Sequence, residues 1–278
     1  MEKQKITPNS ITKKNYTKVD IPEQSAQSLF HCMRKLEYLL SILKNKSISP
    51  RYCKENIKYL GIGFDEIAYP MLCFCDIPFH KLNYHTNRYG KYAIAFSKTW
   101  GLKNGLQPIT YINDNSELLK SFQDAFSKAQ NEDLEKFDSI GYKSTRNNLL
   151  ESMKYFKPMR GESTDIWGET RERWMTDDCE WRYIGTFKDN EAEEAIINPE
   201  RLTDIALKTL NTAVESINNS ANISFEYSDI QYIIVSTSSD FDELVELVET
   251  LPFFNEQPKE KALLYSKILI WDDIQGDF

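Results

Sequence analysis

The residues of this 278-residue chain whose types could do chemistry fall into three groups. The first is His31, which closes Ser28-Leu29-Phe30-His31 and precedes Leu36, Leu39, Leu40 and Leu43, whose spacing of three and four marks one face of a helix. An imidazole at a strand-to-helix junction is held from both sides, as a substrate-contacting group must be. A core histidine bonded to backbone gives the same pattern. The second group is Asp76, at the end of Cys73-Phe74-Cys75-Asp76, which can orient His31 or cap the turn at Pro78. The third is Asp178, Glu180 and Arg182, which a strand's period of two places on one side, with Cys179, Trp181 and Tyr183 on the other. On that reading one face is core and the other is a row of charge.

The elements that must position these groups are also marked. Residues 69–78 form a short apolar run with Pro70 and Pro78 near its ends, which suits a strand with Met71, Cys73 and Cys75 on one face and Leu72, Phe74 and Asp76 on the other. Residues 91–97 read as a second strand after a turn at Gly90, a near neighbour of the first. Leu118, Leu119, Phe122 and Phe126, then Leu149, Leu150 and Met153, have helical spacing and predict helices that cover a sheet. Residues 51–69 read as a mixed loop; Gly61 and Gly63 lack a third glycine, since Glu66 stands there, so no dinucleotide fingerprint is present. Residues 159–178 read as a long surface loop. Beyond them come a helix over 199–217, a strand over 229–236, a helix over 240–251 and a strand over 263–271. The fold class is α+β, with a flexible segment over 1–24 and one domain over 25–278 that ends in an α/β extension.

Composition narrows the function. The chain is 41% apolar, enough for a core, and its net charge of -8 argues against a broad phosphate-binding surface. No run approaches the roughly 18 apolar residues of a membrane span, and the Lys-rich start lacks a hydrophobic signal core, so a cytoplasmic, membrane-free protein is expected. Five cysteines without CxxC spacing are expected reduced and mostly buried. Cys73 and Cys75 with His80 and His85 match no common zinc spacing, and no metal is expected.

Cleavage of the bond between ribose and nicotinamide in NAD creates an oxocarbenium-like centre. It calls for a carboxylate at the ribose, a polar anchor for a hydroxyl and an aromatic wall for the ring. Strands carrying Glu180, His31 and Phe74 can supply these respectively. Ser28-Leu29-Phe30-His31, Leu39-Leu40-Ser41-Ile42-Leu43-Lys44, Tyr69-Pro70-Met71-Leu72-Cys73-Phe74-Cys75-Asp76-Ile77-Pro78, His85, Tyr89-Gly90-Lys91-Tyr92 and Asp178-Cys179-Glu180-Trp181-Arg182-Tyr183 together resemble the AbiGi family of abortive-infection, phage-resistance proteins. The block order is similar, more distantly, to DarT-like and diphtheria-toxin-like ADP-ribosyltransferases. The first resemblance implies one half of a two-gene toxin–antitoxin pair, with a cognate partner from the same operon. The second implies a split mixed sheet, NAD as substrate, Glu180 as catalytic carboxylate and His31 as ribose anchor. It makes either Phe74 or Tyr69 the stacking wall, and sets Asp178 toward the acceptor with 161–177 as the acceptor-facing loop. Arg34, Arg88 and Arg182 contact the cofactor phosphates or pair with acidic neighbours. Two functions are therefore expected: an anti-phage ADP-ribosyltransferase toxin acting on a macromolecule, RNA or DNA ahead of protein, or an inactive antitoxin that holds a partner toxin. In the antitoxin case the 240–250 helix is a docking element or core.

Overall fold

A computed structural model of the chain describes residues 26–136, 144–165, 167–188, 195–215 and 220–277; the 1–24 segment lies outside them. β1 (Ser28–Met33) carries His31, and α1 (Leu36–Asn45) buries Leu36, Leu39 and Leu43 along the expected stripe. β2 (Ser47–Ile48), β3 (Arg51–Asn56) and β4 (Glu66–Cys75) then fill the stretch that reads as a loop. β3 escapes a hydrophobicity reading because Tyr52 is its one fully buried side chain. α2 (Leu82–Tyr89) carries His85 and is followed by β5 (Tyr92–Ser97), α3 (Lys98–Lys103), β6 (Gln107–Pro108) and β7 (Thr110–Ile112).

The expected covering helices are α4 (Glu117–Lys136) and α5 (Thr145–Met153), ahead of β8 (Phe156–Pro158). Where a loop was expected stands a hairpin, β9 (Arg160–Thr164) and β10 (Thr170–Trp174), and β11 (Glu180–Ile184) follows. In the hairpin, β9 sets Arg160 and Glu162 against Gly161 and Ser163, and β10 is charged on both faces, so neither strand has the apolar alternation that would announce it. The rest is α6 (Asp204–Glu215), β12 (Ile223–Ser224), β13 (Ile230–Val235), α7 (Ser238–Thr250), α8 (Pro252–Glu256), α9 (Pro258–Tyr265), β14 (Ile268–Ile270) and α10 (Trp271–Ile274). Among the described residues no helix is long and apolar enough to cross a membrane.

The main sheet runs β14-β13-β5-β1-β4-β11-β6, with β3 also on β4. It is mixed: β13 and β14 pair in parallel, which requires a crossover that α7 to α9 provide, and the other ladders are antiparallel. β1 stands between β4 and β5, so the two strands are near neighbours, one strand apart in the sheet. Both faces are covered. On one, Leu29, Leu72, Phe74, Ile94 and Phe96 pack with α1, α3, α7, α8 and α9, and the use of Leu244 and Val248 there makes the 240–250 helix a core element. On the other, Phe30, Cys75, Ala93 and Ala95 meet Leu82 and Trp271, while Ile67, Tyr69 and Met71 meet α4 and α5.

One gap in the pairing shapes everything that follows. Met71 pairs with Arg51 on one edge of β4 and with Ile184 on the other; Cys75 pairs with Phe30 and with Glu180. β1 and β3 therefore lie along the same edge, opposite β11. β3 takes Glu66 to Met71 and β1 takes Cys75, and between them Leu72, Cys73 and Phe74 have no strand partner on that edge.

α2 is docked beside this gap by Gly90, whose φ of +111° is open to glycine and whose Cβ, if present, would lie 2.1 Å from the Met33 carbonyl oxygen. Gly90→Ala is expected to cost about 3 kcal/mol through strain and backbone collision. Urea or thermal denaturation reads it, and a midpoint equal to the wild type's would show that the turn tolerates a side chain.

Candidate ligand cleft and its buried ion network

The gap along β4 opens into a cavity of about 590 Å³ that His31, Phe74, Arg34, Asp178 and Glu180 all line, together with the cysteines of β1 and β4. By register His31 belongs to the Phe74 face of the sheet and Glu180 to the Cys75 face. They meet one cavity because β1 and β3 part company between them. Pockets of this size suit small ligands.

His31 fills the broken ladder. Its Nδ1 donates to the Cys73 carbonyl at 2.8 Å, and its ring lies 5.2 Å from that of Phe74. Burial lowers the pKa of His31, which keeps the ring neutral at pH 7. With Nδ1 protonated toward the carbonyl, Nε2 keeps an acceptor lone pair. Phe74 is packed against Phe96 and Trp100. Tyr69 stands elsewhere: it is in the core under α4 and α5, with its hydroxyl donating to Lys154 O at 2.9 Å, and it does not line the cavity. Arg34 sits at the mouth, reaching the Arg88 carbonyl at 3.4 Å. Asp76 pairs with Lys98 at 2.8 Å instead of orienting His31.

The row of charge on β11 is buried: Glu180 and Arg182 are 6% and 0% accessible. Neighbours from four elements make this possible. Arg182 Nε donates to Glu180 Oε1, and Nη1 reaches Tyr69 Oη and the Lys154 carbonyl, each at 2.7 Å. Nη2 lies 3.2 Å from Glu55 Oε1 as an ion pair without hydrogen-bond alignment. Lys157 Nζ holds Glu180 Oε2 at 2.7 Å and lies 3.8 Å from Asp178 Oδ2. Asp178 lines the cavity but is buried, bound by Arg173 Nη2 and by the Tyr89 hydroxyl at 2.9 Å, with His85 Nδ1 3.8 Å away.

Three acids, Glu55, Glu180 and Asp178, thus face three bases, Arg182, Lys157 and Arg173. Burial alone would raise the Glu180 pKa, yet Lys157 and Arg182 hold it well below the usual carboxylate range. The same acid, with Glu55, raises Lys157 against its own burial. Burial lifts the Cys53 thiol to about 11 and raises Cys73 as well. Lys157, Arg173 and Tyr89 were not singled out from sequence as members of this network. Only Lys157, set in the apolar Tyr155-Phe156-Lys157-Pro158, carries a signal that could have marked it, because a lysine in such a run needs a counter-charge.

The fold and site together define an α+β protein with a mixed sheet around a polar cleft whose charges are paired internally. The family model described as abortive phage resistance protein AbiGi, antitoxin, matches residues 46–236. The chain is 32% identical over 248 residues to the abortive phage resistance protein AbiGi of Lactococcus lactis subsp. cremoris, covering 82% of this chain and 98% of that protein. This chain belongs to the AbiGi family. No solved structure matches it.

Because the Glu180 pKa is depressed in the folded state, the acid adds stability that is complete above its unfolded value near 4.3 and is lost as pH falls toward the folded value. Glu180→Gln is expected to be about 3 kcal/mol less stable at pH 7, leaving two buried cations short of a partner. The difference should shrink below about pH 4. Denaturation midpoints measured from pH 7 to pH 3 check this, and a constant difference would remove Glu180 from the network.

Proposed function

We propose that this chain works in abortive phage resistance as the antitoxin half of a two-protein pair, neutralising a partner toxin by binding it. The observation that carries this reading is the state of Glu180, both of whose carboxylate oxygens are committed to buried cations. An acid that steadies an oxocarbenium centre must offer an oxygen to the substrate. Doing so here disturbs a buried ion pair, an interaction whose rupture costs about 3–5 kcal/mol. As a fixed counter-charge, the same residue serves a binding protein without conflict. The family description, antitoxin, supports the same side. The surface offers a contact: the β9–β10 hairpin exposes Trp167 and Trp174, with the Arg160 guanidinium 5.2 Å from the Trp174 ring centre. Tryptophan and arginine are the residues that most often dominate protein–protein binding energy.

A second reading, ADP-ribosyl transfer from NAD to a nucleic acid or protein, is favoured by one observation. His31 and Glu180 line a single cavity where β1 and β3 separate along β4, and Phe74 stands beside them.

Co-expression with the product of the adjacent gene tests the pair. That product alone is expected to arrest bacterial growth, and this chain to restore it. Trp167→Ala combined with Trp174→Ala should weaken rescue at least tenfold in the inducer needed, while the variant's melting stays within error of wild type. Growth arrest by this chain alone, or transfer of label from NAD to cellular RNA, DNA or protein by the purified wild type, would replace the first reading with the second.

A further inference from the structure

Outside the ion network, a second cluster stands in the same cleft. Cys32 from β1, Cys75 from β4 and His85 from α2 present ligand atoms that all lie within 4.8 Å of one another. The Phe30↔Cys75 register explains the pairing of sulfurs, since Cys32 is two residues further along β1 on the same face. His85 is brought over them by α2. From these positions we propose that Cys32, Cys75 and His85 form a site for one thiophilic divalent ion, zinc by its ligand set, with a fourth position open to the cleft.

Tetrahedral zinc with sulfur at about 2.3 Å and nitrogen at about 2.0 Å sets its donors roughly 3.5–3.8 Å apart. Closing from the observed spread requires about an ångström of side-chain movement. Two thiols binding as thiolates cancel the charge of the dication, so an ion here adds no net charge to a buried region. The two thiol protons leave to solvent, and His85 binds as neutral imidazole. Its Nδ1 faces Asp178 Oδ1 at 3.8 Å, and its ring lies 4.4 Å from that of Tyr89, which bonds the same carboxylate. A carboxylate behind a ligating histidine is the usual outer support of a zinc site, which makes Asp178 a positioning residue. All three ligands line the cavity, and His85 with Asp178 also lines a second hollow of about 740 Å³ beside α2, so an ion can enter. The sequence offered Cys75 and His85 beside Cys73 and His80, but spacing could not bring in Cys32, which comes from β1, and Cys73 packs against the core that α4 covers.

The test uses the purified full-length chain produced with zinc in the medium. Plasma mass spectrometry is expected to find a single zinc per chain. Titration of the metal-free protein with cobalt(II) should give a near-ultraviolet thiolate-to-metal charge-transfer band. Cys32→Ser combined with Cys75→Ser should lose both signals, whereas Cys179→Ser, at an exposed cysteine, should keep them. Asp178→Asn should keep the band and weaken affinity 10–100-fold. A folded wild type that takes up neither metal overturns the site, whatever the variants do. So does a band that survives loss of both cysteines, or a Cys32–Cys75 disulfide in protein purified without oxidants.

Discussion

The structure depends on a guanidinium with no exposure to water. Arg182 cannot be neutralised by deprotonation, so every element that touches it must offer an oxygen in the right place. Glu180 on its own strand, Glu55 on β3, Tyr69 on β4 and the backbone carbonyl of Lys154 after α5 do so. Those partners fix the register of three strands and the position of a helix end around one side chain. Hydrophobic packing of the kind seen around Phe122 and Met153 could hold the same elements together, but it tolerates small slips that a buried ion network does not.

The second constraint is the shared edge of β4. A strand cannot pair with two partners along one edge unless they divide it, and the division leaves Cys73 between β1 and β3. His31 occupies that break and replaces a ladder hydrogen bond with one from its ring. The cleft follows from the topology. The polar groups within it follow from the register, which brings Cys75 and Glu180 into line and carries both faces of the sheet to one opening.

Much of this was legible in the sequence, and the reasons for the rest are physical. The α1 stripe and the alternation through Met71 and Phe74 could be read because burial repeats with the period of the element. Trp181 and Tyr183 announced one face of β11 in the same way. The other face carries no such signal, because charged residues read alike whether exposed or buried, and the cations that pair with Glu180 and Asp178 sit on β8 and β10. β3 and the β9–β10 hairpin have too few buried apolar residues to declare themselves. α2, with the polar sequence Leu-Asn-Tyr-His-Thr-Asn-Arg-Tyr, hid the environment of His85. The interposition of β1 between β4 and β5 leaves no trace in either strand's composition, since a pattern of side chains specifies a face and not a neighbour.

The main path of the sheet ends in very short strands, and the outer edge of the six-residue β3 is met at Tyr52 by the Asn211 side chain of α6. β14 has three residues and β6 two, one of them Pro108. An edge of that length presents too few free amides and carbonyls to recruit a strand from another molecule, and proline removes a donor outright. The unpaired stretch inside the cleft is likewise bounded by β1 and β3. The fold therefore keeps an interrupted sheet while resisting the edge-to-edge growth that seeds fibrous aggregates.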